Sequence, residues 1–472
     1  MRDKLLVSSS SSGKLLCAYA GEQVYLIDTT SQGSTSSKII SLPAPSQPAG
    51  NTDAAAPPIT ALGQVEAVAL TADGSRAAAL YRHKVLALWD TRDSAAPTLL
   101  AHRLLPKKAF ALLFAQLEIP GETQKDDVIL VNDKVGDVRA YRATAELLSK
   151  SSAFLLGHTA SVGTCLDLSP NGECLASGDR DEKVRLSKFP CTLVINAYLT
   201  GHDNFISSVT FIQKGAAVLT GSGDGSLALW DAETGAERVK LALPLPPSAF
   251  EATEEDGKEE GTKEPSKTRN KATTVPCAMA INKEETLAIV TLLGRAELLV
   301  YSLPALKLVQ TLSTPSPPLG AVWLEEERKE GGREEALYVT VGAPEYLMAY
   351  TQEEGGKGLL QVQEKGEENP VIGTVRSFGA AAGLQTELTV DEGDEGFLGG
   401  MTKENLEVRF EWNSRQRKEE HVEKARQKRQ EKRHRERDER IAWTGAGVEG
   451  GEGRKKEKAE EAGGASAMQT EE

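Results

Sequence analysis

The chain has 472 residues and a formal net charge of −14, from 55 Lys and Arg against 69 Asp and Glu. That length exceeds one compact core of ordinary size, unless a repeat spreads the burial over many small sheets, and the acidic balance argues against a body coated for nucleic acid. The five cysteines, Cys17, Cys165, Cys174, Cys191 and Cys277, form no Cys-x-x-Cys pair, which speaks against a zinc site or a disulfide framework and for reduced core thiols.

The opening Met-Arg-Asp-Lys-Leu-Leu-Val starts like a signal peptide, but Ser8 to Ser12 and Lys14 cut the apolar run short. No uninterrupted apolar run approaches the ~18 residues of a membrane helix, so a soluble, intracellular protein is expected. Seven strand endings of similar type then follow, at 24–28, 85–90, 138–141, 184–188, 227–231, 298–302 and 347–350. Several are preceded by another apolar strand and a polar turn, as in 62–70 before Thr71-Ala72-Asp73-Gly74. Spacings of about 43 to 70 residues fit four-strand blades carrying loop insertions. The expected fold is therefore all-β, a seven-bladed WD-repeat β-propeller over residues 1–402. Insertions at about 31–58, 252–271, 325–335 and 352–369 are rich in Ser, Pro and Ala or in Glu, Gly and Lys, and are expected to be disordered rim loops.

The fifth blade supplies a reference repeat, Thr-Gly-Ser-Gly-Asp-Gly-Ser-Leu-Ala-Leu-Trp-Asp at 220–231. His202, Thr220, Asp224 and Trp230 can form a hydrogen-bonded set that ties loop, strands and turn together. The fourth blade reads Ser-Gly-Asp-Arg-Asp-Glu-Lys-Val-Arg-Leu-Ser-Lys at 177–188. Aligning the turns puts Asp181 on Asp224, Glu182 on Gly225, Lys183 on Ser226, Arg185 on Ala228 and Ser187 on Trp230. His158, Ser177 and Asp181 then form the structural set, without an indole. Strand alternation sends Val184 and Leu186 to one face and Lys183, Arg185 and Ser187 to the other. The two cations are either a docking surface or a solvated face whose charges pair with Asp179, Asp181 and Glu182.

Beyond the last blade, 403–443 is expected to form a long basic helix, and 444–472 a disordered Gly/Glu-rich tail. Lys424, Arg426, Lys428, Arg429, Lys432 and Arg433 could follow a phosphate backbone, such as that of tRNA; the stretch could equally be a nuclear import signal or only a charged tail. No P-loop, nucleophile elbow, His-Glu-x-x-His or glycine-rich nucleotide cradle is present in the sequence. A binding scaffold with no catalytic residue, metal or cofactor of its own is favoured.

Three segments carry a more specific likeness: Asp179-Arg180-Asp181-Glu182-Lys183-Val184-Arg185, the Gly201-His202 that follows, and Val131-Asn132-Asp133-Lys134-Val135-Gly136-Asp137-Val138 in the preceding blade. With them the chain resembles the WD-repeat non-catalytic subunit of the eukaryotic tRNA (guanine-N(7)-)-methyltransferase. Val408-Arg409-Phe410, leading into the basic stretch, is similar to that family's end. The resemblance implies a seven-bladed scaffold; its expected location is the nucleus, with the cytoplasm as a second. It would bind and stabilise a catalytic subunit that uses S-adenosylmethionine to form 7-methylguanosine at tRNA position 46. It also implies that Lys183 and Arg185, with Arg180 and Glu182 beside them, meet acidic residues of that subunit. Asn132 and the long insertions depart from the family pattern. A general WD-repeat adaptor for ubiquitin transfer or ribosome assembly, and a stand-alone RNA-binding protein, are the competing readings.

Overall fold

In the computed structural model the described residues run from 7 to 362, less 29–37, 46–61, 119–124, 145–151, 245–273, 353–359 and a few shorter gaps, with Arg376 beyond them. They form seven four-stranded antiparallel sheets. These are blades 1 to 7, at 7–41, 65–104, 109–157, 163–200, 206–242, 276–313 and 320–362. Each expected strand ending is the third strand of its blade: Val24–Asp28, Val85–Asp90, Asp137–Arg142, Lys183–Lys188, Ser226–Asp231, Glu297–Ser302 and Leu347–Gln352.

No blade has a core of its own. The burial lies between neighbours, because a twisted sheet with both faces apolar must cover each of them. Leu186, Val184 and Ala176 of blade 4, for instance, pack against Phe211, Val218 and Trp230 of blade 5. The ring closes where Leu15, Cys17 and Ile27 of blade 1 meet Leu324, Tyr338 and Leu347 of blade 7. Ser9 Oγ donates to Trp323 O at 2.8 Å across the same seam. Side chains also cross seams: Asn132 Nδ2 in blade 3 donates to Cys165 O in blade 4 at 3.3 Å, and Asp167 of blade 4 accepts the Phe211 N–H of blade 5 at 2.7 Å. The buried Asn132 is thus an inter-blade tie.

Three expected rim loops contain strand. Lys38–Ser41 is the outer strand of blade 1, pairing Ile39 with Ile27 and Ile40 with Leu26. A Ser/Pro/Ala average over 31–58 hides this short β-branched run. Glu325 and Glu335 pair directly, in a hairpin whose strands extend to Arg328 and from Gly332. The ladder begun by Ala321 and Leu324 simply continues into the charged sequence. Leu360–Val362 closes blade 7 on the outside. The 252–271 insertion, the 403–443 segment with its six candidate tRNA-binding cations, and the 444–472 tail lie outside the described residues. Cys17 is buried and Cys165, Cys174 and Cys277 are partly so, whereas Cys191 stands exposed on a loop, against the expectation of a core thiol. Burial pushes the Cys17 thiol well above its ordinary value.

Candidate functional site: the charged face of blade 4

Blade 5 shows the complete hydrogen-bonded set. Trp230 Nε1–H donates to Thr220 Oγ1 at 2.8 Å. Since indole N–H can only donate, the Thr220 hydroxyl accepts it; Thr220 Oγ1 also lies 2.8 Å from His202 Nε2 and donates to Ala228 O at 3.3 Å. The ring's Nδ1 lies 3.0 Å from Asp224 Oδ2. All of this is buried, with Thr220 at 0% and Trp230 at 1% exposure. Burial by itself would raise the Asp224 carboxyl, but hydrogen bonds from His202 and Ser226, the His202 ring and the Asp203 N–H hold it far below the ordinary carboxylate range. A depressed folded-state value means that the unfolded chain takes up the proton first. The stabilisation is therefore full above the unfolded carboxylate value and lost as pH falls toward the folded one. The stability gap between the protein and Asp224→Asn is accordingly expected to narrow as pH drops below about 4, measured by urea unfolding across that range.

Blade 4 keeps the histidine and the hydroxyl but changes the acid. His158 Nε2 lies 2.9 Å from Ser177 Oγ, and His158 Nδ1 lies 3.0 Å from Asp179 Oδ2, not Asp181. Asp179 also receives the Lys183 N–H at 3.0 Å. The cause is local: Asp179 ends its strand facing inward and is 4% exposed. Asp181 sits in the turn and pairs with Arg180 at 3.2 Å. Glu182 takes the turn's last position at φ 71°, where Gly225 of blade 5 has φ 78°. A left-handed conformation costs a residue with a Cβ roughly 1–2 kcal/mol, so Glu182→Gly is expected to raise stability by about 0.5–1 kcal/mol, read from the urea midpoint.

The site's cation is organised by the missing ring. The penultimate residue of the third strand is Trp89, Tyr141, Trp230 and Tyr301 in blades 2, 3, 5 and 6, all large and buried. In blade 4 it is Ser187, and its hydroxyl instead receives Arg185 Nε–H at 2.9 Å. The guanidinium also donates to Thr192 O at 2.7 Å and Gly157 O at 3.5 Å. All three acceptors are neutral. Desolvation by burial lowers the Arg185 value, yet an arginine remains charged in proteins. No carboxylate among the described residues ion-pairs with Arg185 or with the exposed Lys183; of the three basic residues only Arg180 is so paired. Local neutralisation of the strand's charge by Asp179, Asp181 and Glu182, the bland alternative, is thus not what this face shows. The structure brings Arg180, Glu182, Lys183 and Arg185 onto one hairpin, with Lys183 and Arg185 on the blade's third strand.

Nothing in the sequence pattern signalled the neighbouring loop and outer strand, where Leu193, Val194, Ile195 and Tyr198 are exposed. Among the described residues no group of three or more His, Cys, Asp or Glu could hold a metal ion, and no helix is long and apolar enough to cross a membrane.

A closed ring of four-stranded blades, with Trp-Thr-His-Asp wiring in blade 5 and an unmatched cationic strand in blade 4, defines a WD-repeat β-propeller. Residues 140–345 match the family model described as tRNA methyltransferase TRM82 WD40 domain. The chain is 31% identical over 179 residues to the tRNA (guanine-N(7)-)-methyltransferase non-catalytic subunit wuho of Drosophila grimshawi, covering 38% of this chain and 41% of that protein. It is 33% identical over 173 residues to the tRNA (guanine-N(7)-)-methyltransferase non-catalytic subunit wdr4 of Danio rerio, covering 36% and 38%. The chain thus spans about two fifths of the length of these curated relatives. The blade 4 segments behind the resemblance, 179–185 and 201–202, fall inside the family-model match and the resemblance is borne out there, whereas the blade 3 segment at 131–138 lies just outside it.

Proposed function

We propose that this chain is the non-catalytic scaffold subunit of a tRNA (guanine-N(7)-)-methyltransferase. It binds and stabilises the catalytic subunit for 7-methylguanosine formation at tRNA position 46 and does no chemistry itself. The observation that carries the reading is a rigid strand presenting Lys183 and Arg185 with no carboxylate partner among the described residues, inside the segment matched by the family model. An arginine pinned by neutral acceptors keeps its charge and orientation, so an acidic partner group finds it preorganised. In this reading S-adenosylmethionine belongs to the partner and the complex works in the nucleus. Lys424, Arg426, Lys428, Arg429, Lys432 and Arg433 help to hold tRNA phosphates; their part rests on sequence alone.

The test is reconstitution. This chain is mixed with the candidate catalytic subunit of the same organism, and methyl transfer to the tRNA guanosine is measured for each chain and for both. Transfer that needs both chains is expected. Transfer by this chain alone would make it an enzyme, and a catalytic subunit neither bound nor stimulated would leave a general WD-repeat adaptor in its place.

A further inference from the structure

Seven large apolar side chains stand exposed among the described residues, and four of them, Leu193, Val194, Ile195 and Tyr198, fall within six consecutive residues of blade 4. Blades 2, 5 and 6 show one each, Leu104, Val239 and Leu308. Single exposed apolar residues are ordinary, whereas a contiguous group on a folded surface marks a place that another surface covers. Leu193 is 61% exposed and Tyr198 48%, on the loop and outer strand of a blade in which Val184, Leu186 and Leu199 are buried.

The apolar group and the cation share one edge. Tyr198 lies directly across the strand pair from Arg185, and Ile195 from Ser187. The Arg185 guanidinium is bonded to the carbonyl of Thr192, the residue before Leu193, and Lys188 N–H to that of Val194. The loop that displays the apolar side chains is therefore the loop that fixes the arginine. We propose that this edge of blade 4 seats an apolar face of the catalytic methyltransferase subunit, bordered by a carboxylate set against Arg185, so that apolar burial supplies affinity and the charge pair supplies register. The inference rests on the scaffold reading above and adds to it the chemistry of the contact. Charge complementarity favours such a partner over a second copy of this chain, because a two-fold contact of the patch with itself would bring Arg185 and Lys183 against their own copies.

The test uses the full chain and the catalytic subunit in calorimetric titrations at about 0.1 M and 0.5 M salt, where the screening length falls from ~10 Å to roughly half that. Leu193→Ser/Ile195→Thr changes only exposed side chains, so an unchanged melting temperature is expected to show that it folds. It should weaken binding by about tenfold or more at both salt concentrations, with a less negative heat-capacity change. Lys183→Ala should weaken it mainly at the lower salt. The proposal is overturned if the double variant binds as tightly as the unsubstituted chain at both concentrations. It also fails if sedimentation shows a dimer of the chain alone that the double variant abolishes while binding to the subunit is unaffected. An unsubstituted chain with no affinity for the subunit would instead remove the scaffold reading, and this contact with it.

Discussion

Lys183→Glu/Arg185→Glu is expected to lose the catalytic subunit and, with it, stimulated methyl transfer, while the propeller still unfolds in one transition. Reversing charge at a partly desolvated contact replaces an attraction by a repulsion. Truncating one member of such a pair already costs about 2–5 kcal/mol, which is roughly thirtyfold to several thousandfold in the dissociation constant. The fold also pays, by a comparable amount, so unfolding must be measured beside binding. Lys183 is exposed, and Arg185 gives up three hydrogen bonds to neutral oxygens, to Ser187, Thr192 and Gly157. Each is worth about 1 kcal/mol net, or somewhat more with a charged donor, a loss that a glutamate turning outward to water only partly offsets. Arg180→Glu is the internal control: its guanidinium already pairs with Asp181, so its reversal should cost a smaller factor. Co-purification and binding measurements on the two variants, with urea unfolding of each, check the ranking. Equal losses for the double variant and Arg180→Glu would mean that general charge, and not this strand, attracts the partner.

The ring was readable in the sequence because third strands repeat an apolar alternation closed by polar turns, and that alternation is what packs between blades. The His202, Thr220, Asp224 and Trp230 set was readable for the same reason: each residue type has one role at that spacing. Blade 4 offers two aspartates two positions apart, and alternation places both on the same side. What separates them is three-dimensional, since Asp179 is still in the strand and 4% exposed while Asp181 has entered the turn. The grip on Arg185 was equally hidden, as two of its three acceptors are backbone carbonyls. Leu193, Val194 and Ile195 look like any buried aliphatic run until the neighbouring blades are in place and leave them uncovered. The short outer strands Lys38–Ser41 and Leu360–Val362 vanish into compositional averages that describe the sequence around them.

Trp230→Ala is expected to be the most damaging single change to the fold, lowering stability by about 3–5 kcal/mol. The indole is 1% exposed and packs at the seam of blades 4 and 5 with Ala176, Leu186 and Phe211, so its removal opens a cavity between two sheets that cannot close on it independently. It also ends the relay, leaving Thr220 Oγ1 without its indole donor. Trp230→Phe separates the two effects: most of the ring volume stays and only the donor is lost, for which about 1–2 kcal/mol is expected. Urea unfolding of both variants measures the difference. The natural Ser187 at the matching position explains why blade 4 survives without a ring, for there the Arg185 guanidinium engages the hydroxyl and the loop carbonyls, and the polar atoms remain satisfied. Trp230→Ser in blade 5 has no such arginine, since Ala228 stands where Arg185 does. It should therefore be as costly as the alanine change, whereas a small cost would show that the vacated seam, and not the arginine, is what blade 4 tolerates.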